Sequence, residues 1–408
     1  MASNNIPTKV NSTSSNINNS NNGTVVEDTF VFASESVASG HPDKVCDQIS
    51  DAILDAHMEQ DPSAIVALDS TIKNKTIMLL GEVTSNANVD HEKVAREVVR
   101  KIGYTDMEIG FDANSCNVIM EISEQSPEIA AGVHKDKLPP EFGAGDQGQV
   151  FGYATDETPE CMPLTALLSH RLVQKLDELR HNGVLPWLRP DGKSQVTIEY
   201  KRVNGGALVP QYVCSVTLSA QHSPDIDLAE LRKQLLELVI KKAIPEHLLT
   251  DKTVYNINSC GKFVRGGPHA DSGLTGRKIV VDTYGGWGSH GGGAFSGKDP
   301  TKTDRSAAYM ARWIAKSLVA SKLCRRCKVQ ITYAIGVAQP QSVMVDTYGT
   351  GIKSNQEILD IVHGNFSMKP GGIIKQLNLR RPIYRQTSTY GHFGREIFPW
   401  EVPKVLEY

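Results

Sequence analysis

The stretch Ser194-Gln-Val-Thr-Ile-Glu-Tyr200, which turns at Asn204-Gly205 into Tyr212-Val-Cys-Ser-Val-Thr-Leu218 and runs on through Asp227 to Ala243, decides the fold class. Val196, Ile198 and Tyr200 alternate with polar neighbours, the two-residue period of a strand with one buried face. Asn-Gly accepts the left-handed backbone of a tight turn, so the two runs read as antiparallel partners. Asp227 with Glu230 three residues on is a capping box that opens a helix to Ala243. A hairpin followed by a helix is one β-β-α module.

Working outward, the same order recurs. Pro42 through Gln60 reads as a helix, with Val45, Ile49, Ile53 and Ala56 as its apolar stripe and Pro42 at the first helical position. Ile65 to Val83 carries strand-like runs about the polar turn Lys73-Asn74-Lys75. His91 to Ile102 is a second helix, closed by Gly103, and Asn117 to Ile122 a further strand. Gln149 to Tyr153 reads as a strand and Thr165 to Asn182 as a helix capped by Gly183. Toward the C-terminus come a helix from Asp304 to Ser321, strands at Lys328 to Ile335 and Ser342 to Thr347, and a helix opened by Ser354 and Glu357. The run Val281-Asp-Thr-Tyr-Gly285 recurs as Val345 to Gly349, an echo of repetition. Together these patterns predict an α+β fold with antiparallel sheets, built of three β-β-α modules.

The chain has 408 residues, more than one core commonly serves, so two or three domains are expected. Its 43 Lys+Arg against 46 Asp+Glu give a formal charge of −3, which implies no global attraction to nucleic acid or to an anionic membrane. No apolar run approaches a membrane span. Residues 1–27 read as a disordered Asn/Ser-rich tail, neither secretory signal nor transit peptide. The sequon Asn11-Ser-Thr13 is idle in that setting. Seven dispersed cysteines suit a reducing compartment, hence a cytoplasmic location. The one CxxC, Cys324 to Cys327, has no second pair and no flanking His, so it reads as free thiols at a helix end.

Of 34 glycines, twelve lie between Gly261 and Gly297, where something needs backbone that side chains would obstruct. Cations and isolated aspartates interleave there and just beyond: Lys262, Arg265, Asp271, Arg277, Lys278, His290, Lys298, Lys302, Asp304 and Arg305. That mixture suits a polyphosphate, with amides cradling oxygens, Lys and Arg offsetting charge, and Asp holding Mg²⁺. Gly40-His41-Pro42-Asp43-Lys44 sits at a helix start, where free N–H groups favour anions. Taken alone, these residues favour a plain N-terminal turn with Asp43 serving the dipole. Arg189-Pro190-Asp191-Gly192-Lys193 reads as an ordinary turn with a solvated Lys193. Two nucleotide motifs are declined. Gly143 to Gly148 matches G-x-G-x-x-G but lacks a strand before it and a helix after it. Gly292 to Lys298 matches the start of a P-loop, but Asp299 stands where Ser or Thr must hold magnesium.

On these runs the chain resembles the S-adenosylmethionine synthetase (methionine adenosyltransferase) family. The matching runs are Ser34 to Lys44, Gly110 to Cys116, Gly143 to Gly148, Leu185 to Asp191, Gly273 to Lys278, Val281 to Ala308 and Tyr390 to Arg395. The resemblance implies three similar α+β domains, intertwined along the chain with pseudo-threefold symmetry, with mostly antiparallel sheets and helices on one face. Its segments would be residues 28–127, 143–261 and 262–402, with a mobile loop region at 123–148. It also implies a reaction: the methionine sulfur attacks C5′ of ATP, and the released triphosphate is hydrolysed to pyrophosphate and phosphate. Two Mg²⁺ and one K⁺ per site, and a homodimer or homotetramer with active sites between subunits, come with it.

Matched position by position, His41 would assist C–O cleavage beside the ribose and triphosphate. Lys193, Arg277, Lys278 and Lys298 would bind phosphate, with Asp191 and Ala294 beside the nucleotide. Lys262-Phe263 stands near adenine, where the family has Arg-Phe. Glu82, Gln125, Asp271 and Lys302 match the methionine-site positions, and Gln125 opens the gating loop. Asp43 and Asp304 match the Mg²⁺ ligands, and Asp69 stands where the family has a K⁺-binding Glu. Two other readings are a Mg²⁺-dependent tripolyphosphate hydrolase and a regulatory homologue without catalysis. A thioether has no proton to lose, so a site with no general base and many cations suits sulfur attack with an anionic leaving group.

Overall fold

The computed structural model describes residues 28–125, 142–203 and 205–408. Its principal elements begin with β1 (Asp28–Val37), α1 (Pro42–Gln60), β2 (Ile65–Lys73), β3 (Thr76–Thr84), α2 (His91–Ile102) and β4 (Asn117–Ser123). There follow β5 (Gly148–Thr155), α3 (Leu164–His181), β6 (Leu188–Val203), β7 (Ala207–His222), α4 (Leu228–Gln234) and β8 (Val254–Ile257). The last are β9 (Gly273–Leu274), α5 (Ile279–Asp282), α6 (Thr303–Ala320), β10 (Arg326–Tyr333), β11 (Ser342–Asp346), α7 (Asn355–Asn365) and α8 (Pro370–Gln376).

Three sheets share one design: a hairpin from one part of the chain, completed by a strand from another. β6 and β7 are joined by β1, antiparallel from Asp28↔Arg202 to Val37↔Lys193, and by β8 at the far edge. β2 and β3 are joined by β4 and by the two-residue β9, which sits some two hundred positions on. β10 and β11 are joined by β5. Each sheet carries a long helix on one face: α3 on β6 and β1, α1 on β2, and α6 on β5 and β10. This is the expected three-module α+β architecture, intertwined and mostly antiparallel; β3–β4 and β7–β8 are the parallel pairs.

The alternation read in the sequence drives this. Val66 and Leu68 of β2 and Ile77 and Leu79 of β3 face inward with Val45, Ile49 and Ile53 of α1, all almost wholly buried. Such burial stabilises by about 1.5–3 kcal/mol per side chain. One apolar cluster runs continuously beneath the β2 and β10 sheets, and a second, with Leu172, Val216 and Leu235, fills the β6 sheet.

Several local expectations fail. The helix from Asp227 to Ala243 is not uniform: α4 widens into a π-helix at Leu235–Ile240 and ends in a short α-turn at Lys241–Ala243. The wider turn puts Leu235, Val239 and Ile240 all in the core. Its capping box is one-sided, because Asp227 accepts from the Ala229 and Glu230 N–H groups while the Glu230 carboxylate is held by Gln234. The Val281 echo is not a structural repeat. Val281-Asp282 ends α5 whereas Val345-Asp346 ends β11, and only the left-handed Gly285 and Gly349 correspond. Cys327 lies buried on β10 rather than at a helix end, and all seven cysteines are free. Pro190-Asp191-Gly192 is not a turn but part of β6, bent by an irregularity between Leu188 and Gly192. Pairing of Gly192 with Ala220 of β7, the Ala38 N–H donated to the Gly192 carbonyl at 2.9 Å and the close approach of Gly40 to Pro190 override its local turn preference. The tail at 1–27, positions 126–141 of the loop region and Asn204 lie outside the described residues. Among those described, no helix is long and apolar enough to cross a membrane.

Candidate active site

Two charged clusters form, one at the start of α1 and one at the start of α6. At the first, His41 is the N-cap of α1 and its ring Nδ1 accepts from the Asp43 N–H at 3.2 Å. That leaves Nε2 carrying the ring proton, free to donate. A side chain at Gly40 would meet Pro190 at 2.3 Å, so glycine is what lets this helix start press on β6. The contact brings His41 beside the Asp191–Lys193 strand.

Asp43 is buried. Its Oδ1 accepts from the Leu274 N–H at 3.0 Å, its Oδ2 takes the Lys278 ammonium at 2.5 Å, and Arg277 stands at 3.7 Å. Burial, then Lys278, push the His41 pKa down to about 4, against the pull of Asp43 and Asp271, with Lys193 adding to the fall. One ring thus feels Lys278, Asp43, Asp271 and Lys193, which lie far apart in the sequence. Lys193 pairs with Glu35 at 2.8 Å, both about half exposed. Burial raises Asp191 to about 6, and its Oδ2 accepts from the Gly267 N–H at 2.8 Å. Gln221 links this strand to the Lys262-Phe263 segment, accepting from the Asp191 N–H and donating to the Val264 carbonyl. Lys262 is exposed, and Phe263 exchanges hydrogen bonds with His222.

His41 is therefore neutral until pH falls to about 4, and cannot switch charge near neutrality. The expected pH profile of kcat/KM has no His41 inflection between about pH 5.5 and 8. An inflection near pH 6.5 that vanishes in His41→Asn would contradict this.

At the second cluster, the Lys298 ammonium donates to Asp304 Oδ2 at 2.6 Å, and Lys302, the N-cap residue of α6, pairs with Asp299 at 3.3 Å. A side chain at Gly293 would meet the Asp304 carboxyl carbon at 2.3 Å, so the glycine-rich backbone passes directly over that carboxylate. Lys298 bridges Ala67 of β2, which brings it beside Asp69. Asp69 and Glu82 fall on one face of the β2–β3 pair, because Asp69 pairs with Leu80, two residues from Glu82. Partial burial raises the Asp69 pKa, Lys298 opposes, and Asp47 and Glu82 add to the rise. Ala294 lies against Gly276, immediately before Arg277, and so joins the two clusters. Gln125 stands apart at the edge of the described residues; its N–H donates to Thr84, and among the described residues its side-chain oxygen has no hydrogen-bond partner.

Arg305, counted among the phosphate-binding cations from sequence, is wholly buried and pairs with Asp51 at 2.7 Å. It holds the fold and offers nothing to a ligand. Sequence reasoning missed Asp47, Asp51 and Asp282; the four-residue spacing of aspartates along α1 was the signal for the first two, and Asp282, at the end of α5, had none.

Among the described residues no group of three or more His, Cys, Asp or Glu is arranged to hold a metal. Asp43 and Asp304 instead each supply one carboxylate with a lysine beside it. Mg²⁺ is usually held by one or two carboxylates completed by phosphate oxygens, so this donor set fits Mg²⁺ arriving with a polyphosphate. Asp69 and Glu82 likewise offer hard oxygen donors.

Models of the N-terminal, central and C-terminal domains of S-adenosylmethionine synthetase match residues 29–127, 141–263 and 265–402 respectively. The chain belongs to the S-adenosylmethionine synthetase family, and its activity lies within S-adenosylmethionine synthesis, as a transferase.

Proposed function

We propose that the chain is a methionine adenosyltransferase acting on ATP and L-methionine. The sulfur lone pair forms the S–C5′ bond, the C5′–O bond breaks, and its electron pair leaves with the triphosphate. Water then cleaves the triphosphate to pyrophosphate and phosphate. The observation that carries this reading is the pair of clusters, each with one carboxylate against one lysine ammonium, at the starts of α1 and α6. Mg²⁺, held by Asp43 and Asp304, would supply charge neutralisation to the phosphates. Lys193, Arg277, Lys278 and Lys298 bind phosphate oxygens, and the neutral His41 donates Nε2–H toward the departing oxygen. Asp191, Ala294, Lys262 and Phe263 hold the nucleoside. Glu82, Gln125, Asp271 and Lys302 hold methionine.

The outer face of the β2–β3–β4 sheet carries Leu80 and Ile119, 38% and 46% exposed, which supports pairing with a second copy through that face. A cytoplasmic setting accords with seven free cysteines.

Release of both phosphate and pyrophosphate is expected to depend on methionine. ATP consumption that methionine leaves unchanged would favour a tripolyphosphate hydrolase instead. Asp69 is one methylene shorter than Glu, so Asp69→Glu is expected to move the half-saturating K⁺ concentration. Superimposable K⁺ titrations would remove Asp69 from the K⁺ site.

A further inference from the structure

α1 carries Asp43, Asp47, Asp51 and Asp55 at four-residue spacing, which stacks them along one face of the helix. Asp43 and Asp47 accept backbone N–H groups from the end of β9 and the turn just after it, Asp51 from the glycine-rich segment, and Asp55 from the 384–385 segment. Asp43 holds Leu274 at 3.0 Å, Asp47 holds Gly276 at 2.8 Å, and Asp51 holds Gly297 at 2.9 Å. Asp55 holds Tyr384 at 2.9 Å and Arg385 at 2.8 Å. The two central rungs fall on the residues just before the phosphate-binding cations: Gly276 precedes Arg277-Lys278, and Gly297 precedes Lys298.

Cationic partners lock the same rungs. The Lys44 ammonium pairs with Asp47 at 3.0 Å and also with Asp282 at the end of α5, the short helix that Lys278 opens. Burial works against that ammonium, yet Asp282 and Asp47 outweigh it and hold its pKa up. Arg305 grips both Asp51 oxygens, at 2.7 and 2.9 Å, and donates to the Lys298 carbonyl at 3.0 Å. Arg305 also directly follows Asp304.

We propose that Asp47 and Asp51 are positioning residues for the transfer reaction, each fixing one phosphate-binding loop on α1 through a single backbone N–H. The helix is then a ruler that sets both clusters in register from one rigid element. A displaced cation costs rate because stabilisation of a developing charge depends on placement of the donor. This inference rests on the reaction proposed above.

Asp47 is the rung to test, because Lys44 keeps Asp282 when Asp47 is neutralised. Asp47→Asn and Asp47→Ala lose the same charge, but only Asn retains an oxygen for the Gly276 N–H. Asp47→Asn is expected to keep the larger part of kcat. Asp47→Ala is expected to lose at least about tenfold in kcat, with methionine KM little changed. A role in folding alone would make kcat follow the thermal midpoint, so equal kcat in Asn and Ala variants would overturn the proposal. If Asp47→Ala does not fold, Asp47→Ser, one bond too short to reach, replaces it under the same criterion. Calorimetric binding of inorganic tripolyphosphate to the same proteins separates this inference from the reaction. Wild-type chain that binds tripolyphosphate but makes no S-adenosylmethionine would overturn the reaction, while equal binding by the Asn and Ala variants would overturn the ruler.

Discussion

Lys298→Ala is expected to lower kcat by about 30- to 1,000-fold, the equivalent of roughly 2–4 kcal/mol of transition-state stabilisation. The reaction as proposed builds charge on a leaving triphosphate and draws on no general base, so fixed cations carry most of the catalysis. Lys298 is well placed for that. It follows the left-handed Gly297, whose N–H is held by Asp51, and its ammonium is 2.6 Å from Asp304. Its side chain is only 27% exposed, so its charge is less screened than a surface lysine's. Truncation removes one cation and leaves Asp304 unpaired beside the incoming phosphates. The measurement is steady-state kcat at saturating ATP and methionine, with binding of both followed separately. A kcat unchanged from wild type would take Lys298 out of the site.

Glu401→Ala is expected to destabilise the chain by about 3–5 kcal/mol, without touching the site. Glu401, Arg312 and Lys316 are all buried, and Arg312 grips both Glu401 oxygens at 2.9 Å while Lys316 donates at 2.9 Å. Burial opposes ionisation of Glu401, but Arg312 and Lys316 overcome it and hold its pKa below the ordinary value. Arg312 also donates to the Tyr153, Cys161 and Glu160 carbonyls, which ties α6 to β5 and the segment after it. Removing the carboxylate leaves two buried cations with no countercharge. Denaturant unfolding reads the effect, and a loss below about 1 kcal/mol would mean that water reaches and solvates the pair.

Elements governed by local chemistry were legible in the sequence. Pro42, the capping pair Ser354 and Glu357, and Gly103 set helix ends that the structure reproduces within a residue or two. The β2–β3 and β6–β7 hairpins followed from alternation and turn residues. What failed was set by distant contacts. Pro190-Asp191-Gly192 carries turn chemistry but is held in β6, bent rather than turned, by pairing of Gly192 with β7 and by contact with Gly40. Of the strands that complete the sheets, β4 and β5 were legible, whereas β1, β8 and above all the two-residue β9 were not. The site divides the same way. The glycine surplus pointed to a close backbone approach, and Gly293 over Asp304 is one such approach. Arg305 looked like one more phosphate cation, because nothing local reveals that Asp51 neutralises it across 254 positions. The roles assigned to single residues came from family resemblance rather than from composition or spacing.

The central claim is that this chain joins the adenosyl group of ATP to methionine sulfur. The most direct measurement incubates the full chain with ATP, L-methionine, Mg²⁺ and K⁺ and identifies every product by mass spectrometry and phosphate analysis. The account predicts S-adenosylmethionine, pyrophosphate and phosphate in equal amounts, with none formed when methionine is left out. ADP or AMP as the adenine product, or phosphate released at the same rate without methionine, would contradict it.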